Sequence, residues 1–98
     1  MSRYLKGARF ERRVKKYLEE KGYLVIRAAG SKPFDLVGIK NGKAIVLECK
    51  VSEGILKKTE LERLIMMVTQ VKATPIIAFG RKGSIILINA VTNKDFIP

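Results

Sequence analysis

Asn41-Gly42 stands between two β-rich runs, residues 34–40 and 43–51. A two-residue Asn-Gly link in that setting is the strongest short-range signal for a β-hairpin, because both residues accept the positive φ that a tight hairpin turn needs. Counting outward from the turn, Lys40 meets Lys43 and Asp35 meets Glu48, so two carboxylates are predicted to face each other across the pair. Opposed side chains in such a pair have Cβ atoms ~5 Å apart. A β-bulge anywhere in the hairpin shifts this count by one. Lys50, two residues past Glu48, projects from the same face of its strand.

The rest of the chain frames the hairpin. Phe10, Val14, Tyr17 and Leu18 fall at i, i+4, i+7 and i+8, which predicts an amphipathic helix over residues 6–21, stopped by Gly22. Residues 23–27 read as a strand that runs into the loop Gly30-Ser31-Lys32-Pro33. Leu61, Leu64, Ile65, Val68 and Val71 predict a second helix over residues 59–72, with Thr59 as N-cap and Glu62 completing a capping box. Two strands close the chain, residues 75–79 and 84–89, turned by Arg81-Lys82-Gly83. The order is αβββαββ. A strand, a crossover helix and a further strand give a parallel pairing, so the expected architecture is α/β, a central mixed β-sheet flanked by helices. Residues 1–98 are expected to form a single domain with one modest core, and no repeat, linker or low-complexity stretch divides them.

Charge narrows the function. Twenty Lys or Arg against nine Asp or Glu give a formal net charge of +11 on a chain whose residues are 47% hydrophobic, so the excess sits on a folded body and points to a polyanion, most often nucleic acid. The chain has no His and one Cys, which excludes a tetrahedral zinc site and a Ser-His-Asp triad. Catalysis must therefore rest on carboxylates, Lys, Ser, Tyr or a hard cation. Cys49 has no internal disulfide partner, which suits a reducing compartment, and the expected location is the cytoplasm. The N-terminus lacks the apolar stretch of a signal peptide, and no apolar run approaches the ~18 residues of a membrane span, so no membrane association is expected.

Seven of the nine acids, Glu60 among them, fall in helices, loop or tail where solvation accounts for them. Asp35 and Glu48 instead interrupt apolar strands. Like charges opposed in a sheet destabilise it, so a cation is expected between them. Lys50 would serve as a plain ion pair. A divalent ion such as Mg²⁺ serves better, since it takes oxygen ligands, often one or two carboxylates completed by water and substrate phosphate. In that case the ion would activate water for phosphodiester hydrolysis while the Lys50 ammonium orients that water or stabilises the transition state.

Pro33-Phe34-Asp35, a twelve-residue gap, then Glu48-Cys49-Lys50 matches the PD-(D/E)xK pattern, and the sequence resembles the restriction-endonuclease-like nuclease superfamily. Within it, Lys6-Gly7-Ala8-Arg9-Phe10-Glu11-Arg12, Lys21-Gly22-Tyr23, residues 25–31, Asp35-Leu36-Val37 and Glu48-Cys49-Lys50 resemble the archaeal Holliday junction resolvases over nearly the whole chain. The resemblance implies that Asp35 and Glu48 are metal ligands joined by the Cys49 backbone carbonyl, that Lys50 is catalytic, and that Glu11 supports the metal site indirectly. It implies roles for Arg12, Arg27 and Ser31 at the active site or the nearby DNA strand. It further implies Mg²⁺, with Mn²⁺ able to substitute, and a homodimer that cuts four-way DNA junctions by paired nicks. Residues 52–58 match the family poorly, and relatives commonly run on past the position of Pro98.

Arg9, Arg12, Arg13 and Lys16 sit at i, i+3, i+4 and i+7, a basic helical stripe that reads either as a solvated face or as a contact to DNA phosphates, together with Arg27 and Lys32. Glu11 has a plainer reading as an i, i+4 partner of Lys15. Two other functions compete with the resolvase: a related nuclease acting on flaps or linear DNA, and a basic DNA-binding module without chemistry.

Overall fold

A computed structural model describes residues 3–28, 34–51 and 57–98. The elements run α1 (Arg3–Glu20), β1 (Leu24–Arg27), β2 (Leu36–Lys40), β3 (Lys43–Lys50), α2 (Lys58–Thr69), β4 (Thr74–Arg81) and β5 (Ser84–Asn89), the expected αβββαββ order. One five-stranded sheet carries the strands in chain order. β1, β2 and β3 pair antiparallel, β3 and β4 pair parallel through the α2 crossover, and β4 and β5 pair antiparallel.

Two hairpin turns hold the sheet ends. Asn41 and Gly42 have φ of 52° and 74°, and Lys82 and Gly83 have 50° and 80°, the positive pairs that match the right-handed twist of adjoining strands. The first of these sets Lys40 opposite Lys43 and Leu36 opposite Leu47, as counted from the sequence.

Each face of the sheet buries one helix. Phe10, Val14 and Leu18 of α1 pack against Val25, Leu36, Ile45, Leu47, Ile76, Ala78 and Leu87. Leu64 and Val68 of α2 pack on Val46 of the opposite face, with Val37, Met67 and Ile77 alongside. Strand alternation explains the division: residues 45, 47 and 49 of β3 face α1, and residues 46, 48 and 50 face the α2 side. Leu18, Leu36, Leu47 and Ile76 are fully buried, each contributing about 2 kcal/mol relative to exposure.

The helices end by backbone geometry. At α1, Tyr23 N–H donates to Leu18 O and Gly22 N–H to Glu19 O, with Gly22 at φ 95°. These two bonds satisfy carbonyls the last turn would leave open. At α2, Ala73 N–H donates to Val68 O and Lys72 N–H to Thr69 O, the same motif with a lysine at φ 60° in the glycine position.

Two sequence expectations for α2 are corrected. The helix starts one residue before Thr59, so Thr59 lies inside it, Lys57 is the N-cap and no side chain caps the end. The apolar stripe is also shorter than its spacing suggested: Leu64 and Val68 are buried, whereas Val71 lies beyond the helix and is 73% exposed, and Met66 is 65% exposed. On the same face of the sheet, Leu24, Ile26 and Ile39 of the β1–β2 edge are exposed.

Candidate active site

Asp35 lies at the mouth of β2, one residue outside the strand that sequence placed it in. Its carbonyl accepts from Ala28 N–H and its amide donates to Leu47 O, both at 2.9 Å. In an unbroken ladder that amide would point away from β3 toward β1, because hydrogen-bonded and non-hydrogen-bonded pairs alternate outward from Lys40–Lys43. The pairing has stepped by one, which is the signature of a bulge, so direct opposition of Asp35 and Glu48 is not realised in the backbone. The side chains meet nonetheless. Asp35 Oδ2 accepts from Cys49 N–H at 2.7 Å, which draws the carboxyl group toward the end of β3, and it is hydrogen-bonded to the Glu48 carboxyl. Asp35 is only 5% exposed.

Glu48 and Lys50 follow each other on the α2 side of β3. Burial pushes the Glu48 carboxyl up to about 7, the Asp35 charge and hydrogen bond and the Glu60 charge push the same way, and Lys50 offsets part of it. Lys50 Nζ lies 3.7 Å from Glu48 Oε1 and 3.1 Å from Glu60 Oε2. Burial lowers the proton affinity of Lys50, but the Glu60 hydrogen bond and the Glu48, Glu60 and Asp35 charges outweigh it, so the ammonium is held above its ordinary range. Lys50 is therefore a fixed cation and donor at neutral pH and not a base.

This donor set fits a hard divalent ion. Burial and the neighbouring carboxylates hold the Glu48 carboxyl at about 7 beside Asp35, and the two groups offer oxygen alone, the donor type such an ion takes. Among the described residues no three Asp, Glu or Cys side chains converge as a metal cage. Asp35 and Glu48 could therefore hold such an ion between them, with backbone carbonyl, water and phosphate oxygens able to complete its shell. The Cys49 side chain packs in the α1-side core, as its alternation requires, and its backbone alone faces the carboxylates.

Glu11 and Arg27 form a second pair on the α1 side. Arg27 Nε donates to Glu11 Oε1 at 2.9 Å, with side chains 29% and 11% exposed. Arg27 pairs with Leu36, the neighbour of Asp35, so this ion pair borders the carboxylates. The plainer reading of Glu11 is overturned: Lys15 bonds Glu19 at 3.0 Å.

Arg9, Arg12, Arg13 and Lys16 are all exposed on α1. Arg13 is tied down, donating to Gly83 O at 2.9 Å and lying over the Phe10 ring at 5.9 Å. This contact joins α1 to the β4–β5 turn and forms an open groove of about 640 Å³ bordered by Arg9, Arg13 and Lys82. Ser31 and Lys32 lie outside the described residues, as does most of the poorly matching stretch after β3. One residue beside the site, Glu60, escaped the sequence reading, giving no signal beyond a helical acid. Lys82, at the groove beside Arg9 and Arg13, gave only a turn.

A mixed sheet flanked by one helix on each face, with Asp35 and Glu48-Cys49-Lys50 at one end of adjacent strands, defines a nuclease core of the PD-(D/E)xK type. The family model described as archaeal Holliday junction resolvase matches residues 2–95. Crossover junction endodeoxyribonuclease Hjc of Methanocaldococcus jannaschii is 37% identical over 90 residues, covering 89% of this chain and 68% of that protein. The structure of the Holliday junction resolvase Hjc from Archaeoglobus fulgidus superposes with a TM-score of 0.76 at 25% identity, covering 93% of this chain and 81% of the other. The chain belongs to the archaeal Holliday junction resolvase family, and the endonuclease class expected from its sequence stands.

Proposed function

We propose that residues 1–98 act as one nuclease domain that resolves four-way DNA junctions by paired nicks, with Asp35, Glu48 and Lys50 as its active site. The observation that carries this reading is the meeting of the Asp35 and Glu48 carboxyl groups beside the Lys50 ammonium, on a family-matched fold with charge +11. Asp35, Glu48 and the Cys49 carbonyl hold Mg²⁺, with Mn²⁺ a working substitute. When bound, the ion supplies Lewis acidity toward the phosphodiester and a water acidic enough to attack it at neutral pH. Lys50 donates hydrogen bonds to the scissile phosphate and stabilises the charge that grows there. Glu11 fixes Arg27 beside Asp35, where the guanidinium contacts the DNA strand, and Ser31 contributes to the active site or to binding that strand. Arg9, Arg12, Arg13, Lys16 and Lys32 contact the phosphate backbone, which positions the junction without reading its sequence.

The working unit is a homodimer, so that two sites can cut two strands. Exposed Met66 and Val71 at α2 give it an apolar contact surface. The enzyme works in the cytoplasm, and no helix among the described residues is long and apolar enough to cross a membrane.

Cleavage of an end-labelled four-way junction with Mg²⁺ tests the reading, with linear duplex and flap substrates run beside it. Junction nicking that disappears in Asp35→Asn and Glu48→Gln is expected. Retained cutting in both variants removes the active-site assignment, and faster cutting of linear duplex than of junctions removes the substrate assignment.

A further inference from the structure

We infer that Glu60 is the positioning residue for Lys50, a second anchor that sets where the Lys50 ammonium stands relative to the Asp35–Glu48 pair. The inference rests on the active-site reading above and adds to it a residue from a different element. Lys50 closes β3, and Glu60 lies in the first turn of α2. The ammonium is nearer to Glu60 Oε2, at 3.1 Å, than to Glu48 Oε1, at 3.7 Å. Only the Glu60 contact meets hydrogen-bond geometry. An ammonium has three donors, so with one given to Glu60 the others remain to face Glu48 and a phosphate oxygen.

The fold explains why this carboxylate arrives there. Glu60, Leu64 and Val68 are spaced by four and share one stripe of α2. Leu64 and Val68 dock that stripe on Val46, whose face of β3 also carries Glu48 and Lys50. Because β3 and β4 run parallel, the connecting helix runs back against them, so moving toward its N-terminus moves along β3 from Val46 toward Lys50. Packing of two apolar side chains thus delivers Glu60 to the end of the strand. The first turn of a helix also favours a carboxylate through its unpaired N–H groups, and that effect alone would keep Glu60 for stability without any role toward Lys50.

Steady-state kinetics on the four-way junction separate the two. With Glu60 as the anchor, Glu60→Gln lowers kcat ~100-fold, the scale expected when a reacting group is displaced by about an ångström, and leaves KM within twofold. Glu60→Asp recovers part of the loss. In the Lys50→Ala background, Glu60→Gln adds nothing further, since there is no ammonium left to position. A readout independent of turnover is the ¹⁵N signal of the Lys50 ammonium in the free protein, which is protected from exchange in wild type and broadened in Glu60→Gln. An unchanged kcat, a loss confined to KM, or additive losses in the double variant overturns the inference, and so does a Lys50 signal indifferent to Glu60. Asp35→Asn serves as the control: if it still cuts, the active-site reading itself has failed, whereas loss in Asp35→Asn with normal Glu60→Gln kinetics defeats only the role of Glu60. The Glu60 side chain is 38% exposed, so Glu60→Gln leaves the core untouched, and the ammonium signal reads out even if turnover is lost for another reason.

Discussion

Asp35 and Glu48 hydrogen-bond through their carboxyl groups, and the Glu48 side chain is only 19% exposed. Of these two acids, Glu48 carries a proton affinity raised from 4.5 to about 7, by burial first and by Asp35 second. The folded chain therefore binds more protons than the unfolded chain between those values. By linkage, the Glu48 contribution is fully present below pH 4.5 and is lost as pH rises through 7. At ~1.4 kcal/mol per unit, the loss in the metal-free protein is about 3 kcal/mol. Urea titrations in EDTA at pH 5 and pH 8 should show this slope in wild type and not in Glu48→Gln. Saturating Mg²⁺ should cancel it, because the ion favours the ionised pair. An identical pH slope in Glu48→Gln would place the origin elsewhere.

Across the sheet, Arg27 and Glu11 pair at 2.9 Å with side chains 29% and 11% exposed. Removing one partner of such a pair costs the contact and leaves the survivor's charge less compensated, the more so the deeper the survivor is buried. Glu11 keeps 11% exposure and Arg27 29%, so Arg27→Ala should destabilise more than Glu11→Ala, by about 2 against about 1 kcal/mol. The double variant should lose less than the sum of the singles, with a coupling of roughly 1 kcal/mol in a urea-denaturation cycle. Additive losses would mean that the contact contributes nothing of its own.

The legible part of this molecule was the part governed by local rules. Asn41-Gly42 announced the β2–β3 hairpin, and the pairing it set holds from Lys40–Lys43 to Leu36–Leu47. The count failed one residue later, at Asp35, because a bulge at a strand mouth answers to what the loop and carboxylates need and leaves no mark in a two-residue period. Thr59 and Glu62 formed a good capping signature, but α2 begins a residue earlier, and a Thr with helical dihedrals cannot cap. Val71 extended the stripe past the helix end because no glycine marked the stop. Glu60 was invisible for a different reason: its meaning depends on where α2 docks, and its spacing from Lys50 crosses a connection that no periodicity describes.

Lys72 supplies the missing stop signal at a cost. It ends α2 with φ 60°, a region where an L side chain is strained by about 1 kcal/mol and glycine is not. The bonds it enables, Ala73 N–H to Val68 O and Lys72 N–H to Thr69 O, need only the backbone. Lys72→Gly should therefore stabilise the fold by about 0.5–1 kcal/mol, raising Tm by ~3–6 °C in a thermal scan, with junction cleavage unchanged. A lower Tm would show that the Lys72 side chain contributes more than its backbone strain removes.

The α1 stripe makes a prediction that separates phosphate contact from general charge. Arg9, Arg12 and Lys16 are exposed, whereas Arg13 is held by Gly83 O and shapes the groove beside Lys82. Each side chain that neutralises a phosphate releases condensed counterions, so its removal flattens the dependence of log K on log salt by ~0.9. Junction binding in EDTA, where no cutting occurs, should show that change in slope for Arg9→Ala, Arg12→Ala and Lys16→Ala, with weakening that is uniform across junction sequences. Arg13→Ala should flatten the slope too and, unlike the others, also speed amide exchange at the β4–β5 turn, since it releases the Gly83 carbonyl. If affinity falls in the first three variants while the slope flattens by clearly less than ~0.9, the stripe acts through the salt-screened long-range field of the +11 chain and not by contact. The two origins also differ in kinetics: a field effect slows association, while a lost contact quickens dissociation.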